Sequence, residues 1–104
     1  MQLLIKNKSK ESIAISLRRA GYRFLGKGEE GDEMTFIRIL GVSGYPRFHI
    51  YLRVDKLSQK IFLNLHLDQR KTIYKGAPAH SADYEGIAVE DEIERIKRAL
   101  QESE

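Results

Sequence analysis

Residues 47–69 read RFHIYLRVDKLSQKIFLNLHLDQ, and this stretch decides the fold. Between Arg47 and Val54, the residues Phe48, Ile50, Leu52 and Val54 alternate with Arg47, His49, Tyr51 and Arg53. Between Ile61 and Gln69, the residues Ile61, Leu63, Leu65 and Leu67 alternate with Phe62, Asn64, His66 and Asp68. Successive side chains of a strand point to opposite faces, so each run reads as a strand with one apolar face on a core and one polar face turned away. The polar connection Asp55 to Lys60 is short enough to make the two runs the arms of an antiparallel hairpin. Symmetric closure sets Val54 opposite Ile61, and then Tyr51 opposite Asn64, His49 opposite His66 and Arg47 opposite Asp68. A slip of two residues moves these pairs to diagonals but keeps every side chain on its face.

Outward from the hairpin, the pattern changes period. Ile13, Ala14, Leu17 and Ala20 recur at helical spacing behind Ser9 or Asn7 as a cap, and Gly21 suits the left-handed position after a helix, which predicts a helix over about Ser9 to Ala20. Ile87, Val89, Ile93, Ile96 and Leu100 predict a second amphipathic helix from about Val89 to Gln101, with Glu90, Asp91 and Glu92 near its positive end. Tyr22 to Leu25 and Met34 to Leu40 read as further strands, separated by Gly26, Gly28 and Gly31. Arg70 to Gly86 has no sustained period and reads as a long loop. The expectation is one α+β domain over residues 1–104: an antiparallel sheet of three to four strands, with two helices packed on one face. Ile50, Leu52, Leu63, Leu65, Ile93 and Ile96 are expected in its core.

The charge is unevenly spread: residues 1–27 carry seven basic groups and one acidic, whereas 83–104 carry three basic and eight acidic. A basic body permits attraction to a polyanion, and the acidic last helix offers a surface for a protein partner. With no cysteine, disulfides and thiolate metal sites are excluded, which makes a reducing compartment, the cytoplasm, the natural setting. The apolar patch Met1 to Ile5 is far shorter than a signal core or a membrane span, so neither export nor a membrane is expected.

The segment Leu17-Arg18-Arg19-Ala20-Gly21-Tyr22, together with the order helix, strands, helix, resembles the double-stranded-RNA-binding fold and, within it, HicA-type mRNA-interferase toxins. Those toxins hold a catalytic histidine in a Gly-Ser-His-type segment; here Gly31, Asp32, Glu33 and Met34 stand, and no catalytic residue is carried over. Lysines that open the second helix of the RNA-binding domains are replaced by Glu90, Asp91 and Glu92. Tyr45 to His49, Leu65 to Gln69 and His80 to Gly86 resemble stretches of small bacterial proteins of unknown function. The strands around His49 and His66 also faintly resemble the paired His motifs of 2H phosphoesterases, which implies one imidazole as base and the other as acid; the hydroxyl residue of those motifs is replaced by Tyr51 and Asp68.

Chemistry concentrates on the polar face of the hairpin. Directly opposed residues have Cβ atoms about 4.5 to 5.5 Å apart, close enough for His49 and His66 to share an ion or a phosphate. Asp68 lies on the same face, and His80, in the loop beyond, can fold back over it. Two or three imidazoles and a carboxylate that leave a position open form the ligand set of a zinc-class divalent ion, and a metal-dependent hydrolase is one use of it. A second reading of the face is a platform for single-stranded RNA or another phosphate-bearing ligand: Tyr51 and Phe62 offer rings, Arg47 and Arg53 offer cations, and Arg38, with Phe36, is expected beside them on the neighbouring strand. A third is a protein-interaction module without chemistry. Whether the domain is an enzyme stays open at this stage.

Overall fold

The computed structural model describes residues 1–28, 32–71 and 80–102. The chain runs β1 (Gln2–Ile5), α1 (Lys10–Arg19), β2 (Arg23–Lys27), β3 (Met34–Ile39), β4 (Arg47–Val54), β5 (Ile61–Lys71), β6 (His80–Asp83) and α2 (Ile87–Glu102). The fold is α+β, as the alternation requires, but the antiparallel sheet has six strands instead of three or four. Their order is β1-β5-β4-β3-β2. One edge of β5 is taken by β4, and its other edge is shared by β1, beside Ile61–Asn64, and by β6, beyond Leu67.

The hairpin closes in the symmetric register: Val54 opposes Ile61, Tyr51 opposes Asn64, His49 opposes His66 and Arg47 opposes Asp68. The apolar set on each arm must meet the helices, which fixes the faces, and the short connection selects this register among those that keep them. Phe48, Ile50, Leu52, Leu63, Leu65 and Leu67 are buried in one cluster with Ile13 and Leu17 of α1 and with Val89, Ile93 and Ile96 of α2. Both helices therefore cover one face of the sheet. Helix α1 starts where Ser9 accepts a hydrogen bond from the Ser12 amide at 3.1 Å, and it stops at Gly21, whose φ of +101° suits a residue without Cβ.

The second helix is tied to the sheet by a polar strut. Glu92, 4% exposed, accepts from the Tyr22 hydroxyl at 2.5 Å, from Arg95 Nε at 2.8 Å and from Arg38 at 3.3 Å. Arg95 also donates to the Ala20 carbonyl at 2.7 Å, linking α2 to the end of α1. Burial by itself would raise the Glu92 carboxyl, but the hydrogen bonds from Arg95 and Tyr22 and the two guanidinium charges outweigh it and hold the group below its ordinary value.

This strut corrects the placement of Arg38 and Phe36. Phe36 pairs with Ile50 and Arg38 with Phe48, so both point to the helix side, where Phe36 is fully buried and Arg38 reaches Glu92. The strand β3 has apolar residues on both faces, and the partner that makes an inward arginine tolerable comes from the distant helix α2. Arg38 is thus removed from the group placed beside the histidines. Among the described residues, no helix is long and apolar enough to cross a membrane.

Candidate metal centre

The face turned away from the helices is ordered by the β4–β5 ladder. At its centre His49 opposes His66, and the next pair along is Arg47 with Asp68. These groups are buried despite facing away from the core: His49 is 8% exposed, His66 4% and Asp68 1%. On the β3 side His49 is paired with Ile37, itself 2% exposed, so the imidazole abuts an apolar neighbour.

Asp68 organises the cluster with both carboxylate oxygens. Arg47 Nε donates to Oδ2 at 3.2 Å, and His49 Nδ1 lies 3.4 Å from the same oxygen. His66 Nε2 lies 2.9 Å from Oδ1. One donor atom from each of His49, His66 and Asp68 falls within 4.8 Å of the other two. The Nε2 of His49 is buried and has no hydrogen-bond partner among the described residues. Leaving such a nitrogen unpaired costs about 1–3 kcal/mol.

Aromatic rings close round the two imidazoles. Tyr51 stacks on His49 with centroids 4.5 Å apart and planes at 22°, and Tyr84 leans on His66 at 5.1 Å. Tyr84 is held there in part by its carbonyl, which accepts from the Met1 amine at 2.9 Å where β1 and β6 meet on the edge of β5. The guanidinium of Arg47 lies 4.6 Å from the centroid of the Tyr45 ring, which fixes the arginine that fixes Asp68. Burial pushes the His49 imidazole below its ordinary value, the neighbouring His66 adds to this, and Asp68 opposes it. The Tyr51 phenol is pushed up, by burial first and by the Asp68 charge second.

The structure thus brings together His49, His66, Asp68 and Arg47 from the residues singled out in the sequence, with Tyr51 beside them. Arg53 and Phe62 oppose each other on the same face, nearer the hairpin turn, while Arg38 lies on the far face. The backbone of His80 pairs with Lys71 in β6, inside the stretch read as loop, and the His80 side chain lies outside the described residues. Asp83 accepts from Gln69 Nε2 at 2.6 Å instead of joining the cluster. The contributions of Tyr84, Tyr45 and Ile37 carried no periodic signal, since each reaches the site through a loop or a neighbouring strand. Comparison with protein-family models, with curated proteins and with solved structures finds no match for this chain.

Proposed function

We propose that this face is a divalent transition-metal site with His49, His66 and Asp68 as its protein ligands. The observation that carries the reading is the convergence of two imidazoles and one carboxylate, all buried, with donor atoms within 4.8 Å of one another. In a tetrahedral zinc site with bonds of about 2.0–2.1 Å, neighbouring donors sit roughly 3.3 Å apart, a spacing within reach of small side-chain rotations from this arrangement. The nitrogen-rich donor set favours zinc, copper, iron or nickel over calcium and magnesium, which prefer all-oxygen shells. The lowered proton affinity of His49 suits a ring that must enter as a neutral donor.

Arg47 supports the same reading. By holding Asp68 Oδ2 it turns the carboxylate so that Oδ1 faces His66, the kind of outer hydrogen bond that orients a metal ligand. Three protein ligands leave at least one coordination position open. With His49, His66 and Asp68 holding a zinc-class ion, that position would supply a water acidified enough to serve as a nucleophile for hydrolysis.

The test is the metal content of protein purified without a histidine tag, followed by calorimetric titration of the stripped protein with zinc, nickel and manganese at pH 7.5. Near-stoichiometric metal, or saturable binding of one ion per chain, is expected. A chain that carries no metal and takes up none in titration overturns the reading.

A further inference from the structure

The polar face does not end at the histidines. Two residues along each strand Tyr51 opposes Asn64, and two further along Arg53 opposes Phe62. At about 3.4 Å per residue, the Arg53–Phe62 pair sits roughly 14 Å from the His49–His66 pair along the ladder. Phe62 and Arg53 are half-exposed, with the guanidinium 5.7 Å from the ring centroid. On its other side Phe62 is paired with Leu4 of β1, so the ring is bordered by an apolar side chain and a cation. Just before Met34, which pairs with Leu52, stands the carboxylate of Glu33. Its charge bears on the Tyr51 phenol, behind those of Asp68 and Tyr84.

A strip with a candidate ion site at one end, half-buried rings along it and an arginine lying against a ring matches the repeating chemistry of a nucleic acid strand, in which anionic phosphates alternate with flat bases. Aromatic rings stack on any base, and arginine tracks the backbone. We propose that the ligand of the ion site is a single-stranded nucleic acid, with one phosphodiester at the ion, bases against Tyr51 and Phe62, and a flanking phosphate at Arg53. This rests on the metal reading above for the phosphate at the ion. A duplex keeps its bases stacked inside and presents none to these rings. An acidic peptide offers the charge without the bases.

The experiment is fluorescence anisotropy of a labelled eight-nucleotide oligouridylate, and its oligothymidylate counterpart, with zinc-loaded and metal-stripped protein. Zinc is expected to tighten binding of at least one of the two, and affinity is expected to fall as salt rises. Phe62→Ala should weaken binding about tenfold. Arg53→Ala should reduce the salt slope by roughly 0.7 while leaving zinc titration unchanged. A duplex of the same length should bind more weakly than the single strand. If zinc binds but neither oligonucleotide does, this inference falls and the metal site stands. If both strands bind with no dependence on zinc, or if an oligoglutamate peptide competes equally and Phe62→Ala changes nothing, the proposal is overturned in favour of plain charge attraction.

Discussion

Arg47 Nε donates to Asp68 Oδ2 at 3.2 Å, and that bond determines which carboxylate oxygen faces His66. The arginine side chain keeps some contact with water, whereas Asp68 is 1% exposed, so the aspartate depends on the pair more than the arginine does. Arg47→Met keeps much of the stem and removes the donor. It is expected to lower zinc affinity about 10- to 100-fold, the usual cost of losing an outer hydrogen bond to a metal ligand. It should also destabilise the metal-free fold by about 1–3 kcal/mol, through the carboxylate left with less compensation. Urea unfolding with and without zinc checks both, and at one saturating zinc concentration the loss should grow by about 1.4–2.7 kcal/mol, the stabilisation forfeited by a 10- to 100-fold weaker ion.

Removal of a ligand separates the ion from the rest of the cluster. An ion that binds only the folded chain at about a hundred times its Kd adds about 2.7 kcal/mol of stability. For a domain of this size that corresponds to a rise in Tm of roughly 10 °C or more. His66→Ala should abolish the rise, and Lys56→Ala, in the exposed turn between β4 and β5, should leave it intact. Thermal scans at pH 7.5 with zinc and with a chelator read the difference directly. A rise that persists in His66→Ala means that the ion binds elsewhere.

The tyrosines beside the imidazoles provide an optical readout. The chain has five tyrosines and no tryptophan, and the Tyr51 and Tyr84 rings lie 4.5 Å and 5.1 Å from imidazoles of the proposed ligands. Binding of paramagnetic copper or nickel should quench tyrosine emission at a ratio of one ion per chain. The double variant Tyr51→Phe, Tyr84→Phe should lose most of that quenching while still binding the ion by calorimetry. Undiminished quenching in the double variant would place the ion near other tyrosines.

What the sequence reveals of this molecule depends on where each signal resides. In β4 and β5 a strict two-residue alternation runs through both arms, so the faces follow from residues 47–69 alone, whereas the register follows only for symmetric closure of the short connection, which the structure shows. The same alternation places His49, His66, Asp68 and Arg47 together, because a shared face and an opposed register suffice to join them. The strands β1 and β6 have four residues each and pair only along one edge of β5, too short for a period to show. In β3, Ile37 and Phe36 are both buried, on opposite faces, so alternation cannot say which side Arg38 takes. Its side is settled by Glu92, whose place beside Glu90 and Asp91 suggests only a charge near a helix start. The burial of the histidines likewise depends on side chains from β3 and from the segment after β6, which no local pattern in the hairpin reports.

Glu92 yields the last prediction, and it concerns stability alone. Its carboxyl is held below its ordinary value in the folded chain, where burial opposes ionisation but Arg95, Tyr22 and Arg38 together prevail. A carboxyl with a depressed folded pKa binds its proton more readily in the unfolded chain. The stabilisation it supplies is therefore present above the unfolded value, near 4.3, and is lost as pH falls through the folded value. Glu92→Gln keeps the shape of the side chain but removes the charge that faces the Arg38 and Arg95 guanidinium groups and the Tyr22 hydroxyl. At pH 7 the variant should be less stable by about 2–3 kcal/mol, the scale of a charged hydrogen-bond partner lost from a buried position. At pH 3, below the ordinary value at which the unfolded chain takes up its proton, the gap between the two proteins should narrow. The measurement is urea unfolding of both proteins at pH 7, 5 and 3 in the presence of a chelator, which keeps any ion at the opposite face out of the comparison. A gap that stays constant across that range would mean that Glu92 stabilises the fold by packing and neutral hydrogen bonding, and not through its charge.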